Sequence, residues 1–323
     1  MLELASLRGR GIAREANDPS ASDGAPAHKH PSKCGIALAL GGGVARGWAH
    51  IGVLRALDEV GLEISMIAGT SIGALVGGCY LAGKLDELEE FARGLTRRRI
   101  FGLLDINLRG NGLFGGMKLD ARLREHLDGI RIEGLPKPFV AVATEVRTGH
   151  EIWINQGSMV TAMRASYALP GVFEPVNCNG RILADGALVN PVPVSVCRAY
   201  EQPMVVAVNL HYDLFGRAAV IKHNAGELVI QKDAKRPARF DPNATEQGTR
   251  LGITGMMVEA FNIIQDRISR ARMAGDPPDL SLQPKLGHIG LAEFHRADEA
   301  IRLGYEATMA HIDELKRLQA VLA

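Results

Sequence analysis

Apolar residues fall along this chain in two alternating rhythms. Short, nearly continuous runs at Gly35–Leu40, Ile64–Ala68, Pro138–Val146, Glu151–Asn155 and Met204–Leu210 have the length and composition of buried strands. Between them, Trp48–Val60, Ala74–Leu81, Leu85–Leu95, Ser158–Tyr167 and Pro193–Tyr200 space their apolar residues with a helical period. Strand and helix in alternation predict an α/β fold with a largely parallel sheet and helices on both faces.

The rhythm fails in two places. Residues 1–33 hold Pro19, Pro26 and Pro31 among Ser, Asp, Gly and Lys, and they read as a flexible tail. Residues 211–249 have no steady period and are too long for an ordinary connection, which predicts a surface insertion or mobile loop. The core is therefore expected over 34–210, with a helical part over 250–323 packed on the same domain. In that last part Arg250–Arg272 reads as one amphipathic helix, and Phe294–Leu318 as a closing helix or helix pair.

Composition narrows the classes. A net charge of +1 gives no global field of the kind that marks a nucleic-acid binder, so no nucleic-acid partner is expected. Cys34, Cys79, Cys178 and Cys197 are scattered without C-x-x-C or His/Cys ligand spacing, so they read as reduced thiols in a cytoplasmic protein with no metal. No run approaches the length of a membrane span, and the N-terminus lacks the features of a signal peptide.

Candidate chemistry sits where strands pass into helices. Gly69-Thr70-Ser71-Ile72-Gly73 is a G-x-S-x-G run between a strand and a helix, the setting of a nucleophile elbow, and Ser71 is its exposed hydroxyl. Gly41-Gly42-Gly43-Val44-Ala45-Arg46-Gly47 follows the preceding strand and offers consecutive amides to an anion. A dinucleotide-binding reading of that turn fits poorly, because the G-x-G-x-x-G spacing is not met, and a P-loop reading lacks the Gly-Lys-Ser/Thr. As an oxyanion hole the turn would contribute the amides of Gly42 and Gly43, joined by that of Ile72. Leu183-Ala184-Asp185-Gly186-Ala187 ends a third strand-like stretch on an acid.

Taken together, these segments resemble the patatin-like phospholipase family. The G-G-G-x-x-R-G turn, the G-x-S-x-G and the D-G-A occur in the family's order, as does Ala165-Ser166-Tyr167-Ala168-Leu169-Pro170-Gly171-Val172-Phe173-Glu174-Pro175-Val176. Ala45–Trp48 and Arg272–Asp279 are similar to its bacterial RssA-type members. The resemblance implies a three-layer α/β/α sandwich and hydrolysis of lipid acyl esters by a serine–aspartate dyad without metal or organic cofactor. Ser71 is then the nucleophile, Asp185 the base, and Gly42, Gly43 and Ile72 the oxyanion hole. Gly41, Val44, Arg46, Gly47, Gly69, Gly73 and Gly186 support these motifs.

Val44 stands where many members have a third glycine, and a positive φ there would be strained. Arg46 reads as tying the glycine turn to nearby carbonyls. The rival to a dyad is a triad through His211, with His288 or His295 behind it, although each reads better as a surface or capping residue. His50 reads as structural. Thr96–Phe114 joins a basic run to exposed-looking apolar residues and is the candidate lid or peripheral contact with a membrane. A catalytically silent regulator with the same fold is the alternative function, and oligomeric state is left open.

Overall fold

Along β1 (Ile36–Leu40) the side chains divide between two separate cores. Ile36, Leu38 and Leu40 enter one, while Ala37 and Ala39 enter the other, as the two-residue period of a strand requires. A strand buried on both faces favours apolar residues at every position, which is why the sequence of β1 is a continuous apolar run. The structure, a computed structural model, describes residues 35–98, 117–213 and 253–322.

Within these residues an eight-stranded sheet runs in the order β5 (Val176–Cys178), β6 (Arg181–Asp185), β3 (Phe139–Glu145), β2 (Ile64–Thr70), β1, β7 (Val205–Val208), β8 (Leu280–Leu282), with β4 (Glu151–Ile154) also paired to β3. From β3 to β8 every neighbouring pair is parallel. The contacts of β3 with β4 and β6, and of β5 with β6, are antiparallel. The parallel half follows the strand and helix alternation of the sequence. The antiparallel edge does not, because β5 and β6 are short and interrupted by polar residues.

Helices cover both faces. The larger core packs α1 (Ala49–Glu59), α2 (Ile72–Leu81), α3 (Leu85–Arg93), α4 (Met117–Leu127), α5 (Met159–Ser166), α8 (Ala297–Met309) and α9 (Ile312–Leu322) against the Ile36, Leu38 and Leu40 face. The smaller core takes Val194, Val196 and Cys197 of α6 (Val194–Ala199), with Met273 of α7 (Ile253–Gly275) packed against it. The result is a three-layer α/β/α sandwich.

One helix inverts the usual pattern. On α7 the buried residues Asn262, Gln265, Asp266 and Ser269 are polar, whereas Ile263 and Ile264 are about half exposed at 48% and 46%. An ordinary amphipathic helix turns its apolar stripe inward. α7 therefore faces something other than an oily core. The expected insertion over 211–249 lies outside the described residues beyond Asp213, as does the tail over 1–33. The candidate lid lies outside them beyond Arg98.

Candidate active site

The register of three strands brings the site together. Thr70, the last residue of β2, pairs with Val142 of β3, and on the other side of β3 Asp185 pairs with Ala143. Ser71 and Asp185 thus lie at adjacent levels on either side of Val142–Ala143. Ser71 Oγ donates to Asp185 Oδ2 at 2.6 Å, and both residues are buried.

Ser71 is held in a costly conformation. Its φ of 57° and ψ of −123° fall where a residue with a Cβ is strained by about 1–3 kcal/mol. A hydrogen bond helps to hold it. Its amide donates to Ser166 Oγ at 2.9 Å, and the Ser166 hydroxyl in turn donates to the Val142 carbonyl at 2.6 Å. α2 starts immediately after Ser71, so the first-turn amides of Ile72 and Gly73 stand beside the Ser71 side chain without partners among the described residues. Their partial positive charge suits a developing anion.

Asp185 is gripped from its other oxygen. The Ala187 amide donates to Oδ1 at 2.8 Å, the Asp185 amide donates to the Ala168 carbonyl, and Thr144 Oγ1 donates to the Asp185 carbonyl. Burial disfavours the ionised carboxyl more strongly than the hydrogen bonds from Ser71 and Ala187 favour it, so its pKa rises from 3.8 to about 7. A carboxylate of that basicity is better matched to a serine hydroxyl than a solvated one.

The glycine turn approaches Ser71 closely. A Cβ on Gly42 would lie 3.5 Å from the Ser71 Cβ and 3.4 Å from the Ala187 Cβ. One expectation needs correction here. The Gly42 amide donates to the Pro191 carbonyl at 2.9 Å and is not free for an oxyanion. A glycine cluster shows in sequence how many amides it carries, but not which of them the fold has already used. Gly43 and Val44 keep their amides unpartnered among the described residues, and Val44 adopts the positive φ, 51°, that its position demands.

The other motif residues serve packing. The Gly41 amide donates to the Val208 carbonyl. A Cβ on Gly69, Gly73 or Gly186 would come within 2.5, 2.2 or 2.2 Å of the backbone of Ala74, Leu40 or Val142. Gly47 abuts the Ile72 side chain at 2.2 Å by the same measure. Arg46 Nε donates to the Ile289 carbonyl at 2.7 Å, so the arginine anchors the turn, and burial lowers its pKa to about 10.

No histidine stands between serine and aspartate. His50 Nε2 donates to the Gly41 carbonyl at 2.7 Å, and burial lowers its pKa to about 4. His288 pairs with Glu299 on the surface, and His295 Nε2 accepts from Arg97. His211 corrects its expected role as a surface or capping residue. It is 1% exposed with both ring nitrogens unpartnered among the described residues, and burial, with Arg46 nearby, lowers its pKa to about 3. Ser166 is the residue whose part the sequence did not disclose, although it sits in the Ala165–Val176 segment. Gln265 is another.

Comparison with known proteins places this geometry. Residues 38–198 match the family model described as patatin-like phospholipase. An uncharacterized NTE family protein of Mycobacterium tuberculosis is 33% identical over 319 residues, covering 83% of this chain and 89% of that protein. The chain belongs to the patatin-like phospholipase family. The mouse patatin-like phospholipase domain-containing protein 6 is 31% identical over 183 residues, or 54% of this chain and 13% of that much longer protein. Among solved structures, VipD from Legionella pneumophila aligns with a TM-score of 0.44 at 13% identity, covering 87% of this chain and 66% of that one. Membership in the family supports lipid acyl hydrolysis, with lipids as the substrate class. Among the described residues no helix is long and apolar enough to cross a membrane.

Proposed function

We propose that the protein is a serine hydrolase that cleaves carboxylic esters of phospholipids, lysophospholipids or related acyl lipids through a Ser71–Asp185 dyad. The observation that carries this reading is the 2.6 Å hydrogen bond from the Ser71 hydroxyl to the Asp185 carboxyl at the end of a strained strand-to-helix turn.

In the first half-reaction Ser71 Oγ attacks the ester carbonyl carbon while its proton passes to Asp185 Oδ2. The carbonyl oxygen, now negative, is received by the amides of Gly43 and Ile72. Each such donor is worth on the order of 3 kcal/mol in the transition state. Collapse of the intermediate breaks the bond to the leaving alcohol, which takes the proton from Asp185 and departs. Water then attacks the acyl-serine, Asp185 accepts its proton, and the acid leaves as Ser71 recovers its hydrogen. No cofactor enters either half.

Fatty acid release from phospholipid, lysophospholipid and short-chain ester substrates tests the reading. Ser71→Ala and Asp185→Asn should each lose nearly all turnover while remaining folded. Substantial turnover in either variant contradicts the role assigned to that residue.

A further inference from the structure

α7 carries a row of buried polar atoms that the dyad does not use. Asn262 Oδ1, Gln265 Oε1 and Ser269 Oγ are each buried without a hydrogen-bond partner among the described residues, at positions three and four apart and so on one face of the helix. An unmet buried acceptor typically costs about 1–3 kcal/mol, which a fold tolerates where a ligand or water completes the bond. The helix is firmly placed. Arg272, on the same stripe two turns after Gln265, donates to the Val189 carbonyl at 3.1 Å and to Glu151 at 2.9 Å, and α7 contacts the Gly186–Leu188 turn that follows Asp185.

Gln265 comes close to the site. The point where a Cβ on Gly42 would stand is 3.5 Å from Gln265 Oε1, 3.5 Å from the Ser71 Cβ and 3.4 Å from the Ala187 Cβ. Gln265 Oε1 therefore lies no more than about 7 Å from the Ser71 Cβ, and no side chain of residue 42 stands between them because it is a glycine. The geometry points to Gln265 as the residue that positions the water for hydrolysis of the acyl-enzyme. This inference rests on the serine hydrolase reading and adds a residue to it.

The chemistry explains why a second acceptor is needed. The attacking water must turn a lone pair toward the acyl carbonyl carbon, so its two hydrogens need two acceptors. Asp185 takes one as the proton that leaves. Gln265 Oε1 accepts a hydrogen bond from the other, which stays on the water oxygen and leaves with the acid. As the water oxygen bonds to the carbonyl carbon its first proton moves to Asp185, the bond to Ser71 Oγ then breaks, and that proton returns to Oγ. In acylation there is no water to orient, so Gln265 acts in the second half-reaction only.

The test separates the two half-reactions with a p-nitrophenyl ester of a short fatty acid. Stopped-flow release of p-nitrophenol gives acylation, and intact mass gives decay of the acyl-enzyme. Gln265→Met, which keeps the length but removes the acceptor, should leave acylation within about threefold and slow deacylation by about tenfold or more. Gly42→Ala, whose methyl would meet only ordinary contacts while standing 3.5 Å from both Gln265 Oε1 and the Ser71 Cβ, should likewise retain a burst of nitrophenol and then stall. A parallel fall in both steps, or an unchanged deacylation rate, overturns the inference. So does a fall of more than about 5 °C in the melting temperature of Gln265→Met, because the oxygen would then have a structural partner. A wild-type enzyme that forms no acyl adduct on Ser71 defeats the serine hydrolase reading itself, a result distinct from any of these.

Discussion

Asp185→Asn should gain stability relative to wild type as the solution is made alkaline. The carboxyl of Asp185 is raised from 3.8 to about 7 by burial, so folding favours its neutral form. The sign follows directly. Its contribution to stability is full below the unfolded pKa and is lost as pH rises toward and through the folded one. Each pH unit between the two values costs about 1.4 kcal/mol. Two of those units lie between pH 5 and pH 7, so the wild-type protein should lose about 3 kcal/mol from this group by pH 9 relative to pH 5.

Asparagine has no such loss and fits the same bonds. Its Oδ1 can accept from the Ala187 amide as the carboxylate does, and its Nδ2 can donate to Ser71 Oγ, whose hydroxyl is free to rotate. Urea denaturation of both proteins at pH 5 and pH 9 measures the difference between them, in which the titration of all other groups cancels. The stability of Asp185→Asn minus that of wild type should grow by about 3 kcal/mol over this range. A difference that stays constant would mean that Asp185 is not a buried base, and one that shrinks would mean that its pKa lies below the ordinary value.

The same raised pKa makes kcat/KM climb with pH along a limb centred near pH 7, because only ionised Asp185 accepts the serine proton. A limb centred near pH 4 would place the base elsewhere. His211→Ala should leave ester turnover within a few-fold of wild type, since its ring nitrogens have no partner, and a thousandfold loss would favour a histidine-containing triad. Gly47→Ala should cost about 1–3 kcal/mol in thermal or urea unfolding and reduce turnover as well, because its methyl would press on Ile72 at 2.2 Å. Wild-type stability and turnover in that variant would show that the turn can yield.

The parts of this fold legible in sequence are those whose physics is local. β1 and β2 are buried on both faces and read as apolar runs, broken only by Ser65 and Thr70 in β2, and the turns after them carry glycines because neighbouring backbone comes too close for a side chain. Ser71 was visible for the same reason. Asp185 could be matched by motif, but its 2.6 Å contact with Ser71 depends on register across β3, which residue spacing does not encode.

Other features were hidden by the same lack of long-range information. That the Gly42 amide is taken by Pro191, 149 positions away, follows from tertiary packing alone. His211 ends a strand in a way that suggests a surface position, yet it is sealed within the fold near Arg46. α7 is the clearest case. Its period announces a helix, but a period cannot say which face turns inward, and here the polar side does.

The central claim is that Ser71 becomes covalently acylated with Asp185 as its base. Intact-mass analysis after treatment with a fluorophosphonate tests the nucleophile most directly. The account predicts one adduct per wild-type chain, mapped by peptide fragmentation to Ser71 and missing from Ser71→Ala. Folded wild-type protein that takes up no label, or takes it up at another residue, would contradict it.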